Sequence, residues 1–289
     1  MKNILILGAN GFIGRNLVEK LSCKYHLLIP NRIELNLLDE TPLEIYFKTN
    51  KIEVVINAAV VGGSRKEEHK NFMLQNNLKM FFNIIRNKKY FKKMIHFGSG
   101  AEYDKERALI NIREEDFDKR VPEDDYGFYK YICSKYIEET NNIVNLRIFG
   151  LFGKYEDYRY RFISNAICKN IYGLPITLNQ DAYFDYLYIK DFIKIIEFFI
   201  NNDTKYKSYN IGAGNPISLL KLAKKINEIA DIESEIKVKK NGLNREYSCN
   251  NDRLKKEMKD FSCQSMSESL EELFGWYKKN KNSIDKKLI

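Results

Sequence analysis

Five short apolar runs, at 3–7, 25–29, 53–57, 93–97 and 143–149, are separated by longer stretches in which apolar positions recur every three or four residues. The runs have the length and branched side chains of buried strands, and the stretches at 12–22, 40–49, 71–88 and 126–141 have helical periodicity. This regular alternation predicts an α/β fold with a doubly wound parallel sheet. The segment 100–125 is charged and poor in apolar residues, which predicts a loop region with at most one short element. From about Lys154 the pattern changes to aromatic-rich segments, a Gly173-Leu174-Pro175 turn, and helices near 191–201, 217–230 and 267–280. The expected division is a first domain at 1–153, to which 186–206 returns, and a smaller, mainly helical cap at 154–289. Such a cap covers the carboxyl edge of the sheet, where ligands of these folds bind.

Composition narrows the classes. The 289 residues are 44% hydrophobic and 30% charged, as in ordinary globular proteins. No apolar run is long enough to span a bilayer, and the N-terminus reads as a strand rather than a signal peptide. Five cysteines without a Cys-x-x-Cys pair argue against a disulfide framework and for a reducing cytoplasm. The three histidines, His26, His69 and His96, are too scattered to predict a metal site. The net charge of +9 comes from dispersed lysines, including Lys224-Lys225 and Lys278-Lys279, without a basic and aromatic stripe. A solvated surface is expected, not a nucleic-acid or membrane partner.

The first strand runs directly into Gly8-Ala9-Asn10-Gly11-Phe12-Ile13-Gly14 and then a helical pattern. Gly8 allows a sharp turn, Gly11 allows backbone N–H groups to approach a pyrophosphate, and Gly14 allows the helix to pack on the strand. This predicts a Rossmann domain with Gly8, Asn10, Gly11, Phe12, Ile13, Gly14 and Arg15 around a dinucleotide. After the second strand the chain reads Ile29-Pro30-Asn31-Arg32, with no acid until Glu34. Asn31 and Arg32 suit a 2′-phosphate, with Arg15 assisting, so NADP is expected over NAD.

Further motifs follow in order: Asn57-Ala58-Ala59, Asn77 and Asn83, Phe97-Gly98-Ser99 with Tyr103, Tyr126-x-x-x-Lys130, Leu146-Arg147-Ile148-Phe149 with Gly153, and Tyr209-Asn210-Ile211-Gly212. With the glycine loop, they make nearly the whole chain resemble the extended short-chain dehydrogenase/reductases that act on nucleotide sugars. The resemblance implies that Asn36, Leu37, Ala58, Ala59, Val60 and Phe149 also contact the dinucleotide, and that Lys130 holds the nicotinamide ribose. It implies that Ser99 hydrogen-bonds the reacting oxygen, that the substrate is a nucleotide-diphosphate sugar, and that the chain forms a homodimer.

Four Tyr-x-x-x-Lys pairs occur, Tyr126/Lys130, Tyr131/Lys135, Tyr186/Lys190 and Tyr277/Lys281. On a helical wheel Tyr126, Lys130, Cys133 and Ile137 share one face that can point inward, whereas Tyr131 and Lys135 lie opposite, near Glu138. A phenol of ordinary acidity, near 10, is a poor proton donor and acceptor at neutral pH without a neighbouring cation. Lys130, one turn on, supplies one. Ser99, Tyr126 and Lys130 are therefore the expected catalytic residues.

Two absences limit the reaction. The 4,6-dehydratases of this family carry Thr-Asp-Glu from the Ser99 position, where this chain has Ser99-Gly100-Ala101. Glu102, one residue further, is expected to point the other way along an extended segment. The GDP-fucose-synthase-like reductases share Glu34-Leu35-Asn36-Leu37-Leu38-Asp39 and the Val61-Gly62-Gly63 loop, but they epimerise C3 and C5 with a cysteine and a histidine. Ala101 stands at the cysteine position, and 161–170 contains no histidine. On the substrate side, Phe184 replaces the arginine that often precedes Asp185-Tyr186, leaving Arg159, Arg161 and Arg245 as candidates for the diphosphate. The expected activity is NADPH-dependent C4 reduction of a nucleotide-linked 4-keto-6-deoxy sugar, a hexose or heptose with GDP favoured, without epimerisation. The alternatives are an NAD-dependent 4-epimerase and a non-catalytic dinucleotide sensor.

Overall fold

The structure, a computed structural model, describes residues 1–62 and 72–289. It opens with β1 (Asn3–Leu7), α1 (Phe12–Leu21), β2 (His26–Leu28), α2 (Glu40–Thr49), β3 (Val54–Asn57) and α3 (Met73–Arg86). There follow β4 (Lys93–Ser99), β5 (Leu109–Ile112), α4 (Asp125–Glu138), β6 (Ile143–Ile148), β7 (Gly150–Phe152) and α5 (Phe162–Ile171). Next come β8 (Ile176–Asp181), β9 (Tyr183–Phe184), β10 (Tyr186–Tyr188), α6 (Ile189–Asn201), β11 (Ser208–Ile211), β12 (Ile217–Ser218) and α7 (Leu219–Ile229). The chain ends through β13 (Ile236–Leu243), β14 (Tyr247–Cys249), α8 (Asp252–Glu257) and α9 (Met266–Lys279).

Six parallel strands form the central sheet in the order β11-β6-β4-β3-β1-β2. Its central strands are apolar on both faces because helices cover both. Ile4, Ile6, Ile56 and Ile95 enter one core with Leu17 of α1 and Phe192 and Ile196 of α6. Their neighbours Leu5, Leu7, Val55 and Met94 enter the other, with Phe47 of α2, Phe81 of α3 and Cys133 and Ile137 of α4. The strand period of two has thus sorted alternate residues to opposite layers. Chain order reverses between β1 and β3, the crevice where dinucleotides bind in such sheets.

Helix α6 packs on the sheet and β11 joins its edge beyond β6. Helices α5, α7 and α9 bring Ile167, Ile226 and Leu273 into the same core as α1 and α6. The C-terminal region also carries strands: β13 runs beside β8, and β12-β9-β14-β5 form a four-stranded sheet. The segment 100–125 holds three short elements rather than one, namely β5 and 3₁₀ turns at Gly100–Tyr103 and Glu114–Asp116. Strand β5 takes its pairing from β14, far later in the chain, so its local sequence does not announce it.

Candidate functional site

The glycine loop lies at the crevice between β1 and β3. The Ala58 N–H donates to the Leu7 carbonyl at 3.0 Å, so the chain leaving β3 crosses directly beside Gly8. Gly8 has φ +82°, and a Cβ there would lie 2.7 Å from the Ala58 backbone. A Cβ on Gly14 would lie 2.2 Å from the Gly8 carbonyl oxygen, so α1 can pack this closely only on glycine. Gly11 is different. The nearest atom to its Cβ position is at 3.4 Å, leaving space for a group approaching from outside the protein. No side chain caps the first turn of α1, so its N–H groups remain available to an anion. These features fit a dinucleotide pyrophosphate. Asn10 is exposed, and Phe12 and Ile13 are half-buried at the start of α1.

Two asparagines brace the surrounding loops. Asn77 of α3 accepts the Val61 N–H at 2.9 Å and donates to the Val61 carbonyl at 2.8 Å, fixing the Ala58-Ala59-Val60 segment from its far end. Asn83 donates to the Leu37 carbonyl at 3.0 Å, and Asn36 is tied to Asp39 at 2.9 Å. Gly63 and His69 lie outside the described residues. Beyond β2, Asn31 accepts the backbone N–H groups of Ile33 and Glu34, which folds this turn and exposes Arg32. Arg32 has no ion pair among the described residues, whereas the Arg15 guanidinium stacks 3.8 Å from the centre of the Tyr155 ring. The expected assistance from Arg15 at a 2′-phosphate thus competes with a partner that sequence reading did not supply.

Ser99 ends β4, and Tyr126 and Lys130 lie on the first turns of α4. Asp124 caps this helix by accepting the Gly127 N–H at 2.9 Å. A Cβ on Gly127 would lie 2.8 Å from the Ala101 carbonyl oxygen, so the start of α4 presses directly on the turn after Ser99. Lys130 is buried and donates to the Phe97 carbonyl, with its Nζ 6.0 Å from the centre of the Tyr126 ring. Lys105 approaches the same ring to 5.7 Å and pairs with Asp124 at 3.1 Å. Burial, reinforced by the Lys130 charge, pushes His96 well below its ordinary range. The competing Tyr131 and Lys135 both bind Asp118 on the outer side of the helix. Tyr131 also sits on the ring of Phe117, and Lys135 is exposed.

Glu102 departs from the extended geometry expected for it. Gly100–Tyr103 is a 3₁₀ turn, so its carboxylate folds back to accept the Ser99 N–H at 2.9 Å and pairs with Arg147 at 2.8 Å. Ala101 is buried, without acid–base capacity. Tyr247, not anticipated as a site residue, brings its hydroxyl to 2.5 Å from where a Cβ on Gly100 would lie, and burial pushes its phenol up. With Phe149, at 4.9 Å between ring centres, it walls in Gly100. Of the candidate diphosphate arginines, Arg159 is held by Asp157 at 2.7 Å and Arg245 by Glu106 at 3.0 Å, both at the surface. Arg161 precedes α5, close in charge to the buried Glu156. Glu156 accepts from Ser164 Oγ at 2.6 Å, and burial pushes it up to about 7 against the pull of Ser164 and Arg161. Among the described residues no group of His, Cys, Asp or Glu could hold a metal, and no helix is long and apolar enough to cross a membrane.

The parallel sheet, the glycine loop at its first crossover and the polar set at its carboxyl edge define a dinucleotide-dependent enzyme of the oxidoreductase and epimerase class. The chain belongs to the NAD dependent epimerase/dehydratase family, which matches residues 4–212. It is 25% identical over 264 residues to ADP-L-glycero-D-manno-heptose-6-epimerase of Brachyspira hyodysenteriae, covering 78% of this chain and 80% of that one. It is 24% identical over 251 residues to GDP-L-colitose synthase of Yersinia pseudotuberculosis, covering 78% and 81%. Among solved structures, GDP-mannoheptose C4 reductase from Campylobacter jejuni with NADP bound is similar at TM-score 0.80 and 21% identity, covering 96% of this chain and 98% of that one.

Proposed function

We propose that this enzyme is an NADPH-dependent C4 reductase of a nucleotide-linked 4-keto-6-deoxy sugar, GDP-linked and either hexose or heptose, without C3 or C5 epimerase activity. The observation that carries this reading is the arrangement at the carboxyl edge of β4. The start of α4, which carries Tyr126 and buried Lys130, presses on the turn after Ser99, while Ala101 has no base and Glu102 is committed to Arg147. The relative GDP-L-colitose synthase, and the similar NADP-bound GDP-mannoheptose C4 reductase, support the substrate class and the cofactor.

Bound NADPH supplies the hydride for the C4 carbonyl. Tyr126 donates its phenolic proton to the C4 oxygen, and Ser99 hydrogen-bonds the same oxygen. The Lys130 charge stabilises the phenolate left on Tyr126. Arg32 would pair with the 2′-phosphate, and Arg159, Arg161 and Arg245 are the candidates for the sugar diphosphate. The enzyme is read as a cytoplasmic homodimer. The test is oxidation of NADPH and of NADH against 4-keto-6-deoxy sugars linked to GDP, CDP, dTDP and UDP, with products identified by NMR. Stoichiometric NADPH consumption with a C4 alcohol supports the reading. Interconversion of C4 epimers without net cofactor turnover would make the chain a 4-epimerase instead.

A further inference from the structure

Beneath Ser99 lies a buried polar network that the reaction, as described, does not use. The Glu102 side chain is wholly enclosed, and its carboxylate faces donors on several sides. It accepts the Ser99 N–H at 2.9 Å, Arg147 Nε at 2.8 Å and Asn145 Nδ2 at 3.2 Å. Arg147, equally enclosed, continues the network with Nη2 donating to Ser134 Oγ at 2.9 Å and to Glu138 Oε1 at 3.3 Å. Its Nη1 donates to the Tyr103 hydroxyl at 3.1 Å, and Tyr103 in turn donates to Asn210 Oδ1 at 2.7 Å. A Cβ on Gly98 would lie 2.3 Å from the Glu102 carboxylate, so the network sits directly against the strand that ends in Ser99.

The connectivity has a direction. One end of the network is the Ser99 backbone. Another is Ser134, one helical turn after Lys130 on α4. A buried ion pair is a poor way to gain stability, since apolar side chains of similar volume serve as well or better. What it supplies is fixed geometry among groups whose hydrogen bonds must all be made. Only a carboxylate can do this here. An amide at position 102 would turn an N–H toward either Ser99 or Arg147, both of which are donors.

We propose that Glu102 is a positioning residue for the reaction, holding Ser99 at a fixed offset from Tyr126 and Lys130 through Arg147. This rests on the reductase reading given above, and it assigns Glu102 no contact with substrate. Displacement of a reacting group by about 1 Å can cost about a hundredfold in rate. The test is a double-mutant cycle of the parent, Ser99→Ala, Glu102→Gln and the double variant, assayed with NADPH and the 4-keto sugar that the parent reduces. In Glu102→Gln, kcat should fall between about tenfold and a hundredfold, while NADPH affinity stays within about threefold. Because Glu102 acts through Ser99, the double variant should be no more than about twofold slower than Ser99→Ala alone. Losses that multiply, or an unchanged kcat in Glu102→Gln, overturn the proposal. Should Glu102→Gln fail to fold, the charge-free pair Glu102→Leu/Arg147→Met takes its place in the same cycle, with the same outcomes. A parent inert toward every sugar overturns the reductase reading itself, a result distinct from an active parent whose losses multiply.

Discussion

Lys130 donates its ammonium to the carbonyl of Phe97, two residues before Ser99, so a single hydrogen bond ties the helix that carries Tyr126 to the strand that carries Ser99. Tyr126→Phe should therefore remove the proton donor with little disturbance of packing, lowering turnover on the order of a hundredfold or more. NADPH affinity should change little. Tyr131→Phe breaks only a surface contact with Asp118 and should stay within a few-fold of the parent. The check is both variants side by side under saturating NADPH. A large loss in Tyr131→Phe with a near-normal Tyr126→Phe would move the site to the wrong side of α4.

The exposed Arg32 gives a second prediction. Arg32→Ala should weaken NADPH binding by about tenfold or more while leaving NADH binding nearly unchanged, since only NADPH carries the 2′-phosphate that a charged hydrogen bond can read. Fluorescence titration with both cofactors decides it, and equal losses would remove Arg32 from the adenosine end.

Reduction in D₂O tests the absence of an epimerising base. With Ala101 buried and inert and Glu102 committed to Arg147, the product of a pre-formed 4-keto sugar should carry no solvent deuterium at C3 or C5. Deuterium at either carbon, seen by NMR, would reveal a base elsewhere in the site.

Glu156 predicts a pH dependence of stability. Its carboxyl is raised to about 7 in the folded protein, above the ordinary value near 4.5, chiefly by burial. The folded state thus favours the protonated form. Its contribution is complete below about 4.5 and is lost as pH rises toward 7, on the order of 3 kcal/mol across that window. Glu156→Gln should flatten the fall in melting temperature between pH 5 and pH 7.5, measured by calorimetry. An identical slope in parent and variant would mean that other groups set it.

The sheet was legible because β1, β3, β4 and β6 are buried on both faces and so read as mostly apolar runs, interrupted by His96 in β4 and by Asn145 and Arg147 in β6. Helix α5 was not. Its buried side includes Ser164, which serves Glu156, and Asn170, which serves Asn227 and Ser234, so polar residues occupy positions where an apolar stripe would signal a helix. The candidate site divides in the same way. The glycine loop and the Tyr126/Lys130 spacing are local and could be read directly. Glu102 meets Arg147 across 45 residues of chain, and Tyr247 reaches Gly100 from far later still, so only the fold reveals them.

The core that joins α5, α7 and α9 to α1 and α6 has a thermodynamic meaning. Residues after 153 have no apolar interior of their own to melt separately, because Ile167, Ile226 and Leu273 share one cluster with Ile4 and Ile56 of the sheet. Heat should therefore disassemble the described fold in one cooperative step, with calorimetric and van 't Hoff enthalpies in agreement. Through that coupling, a ligand gripping only the C-terminal side would also raise the free energy needed to open the glycine loop.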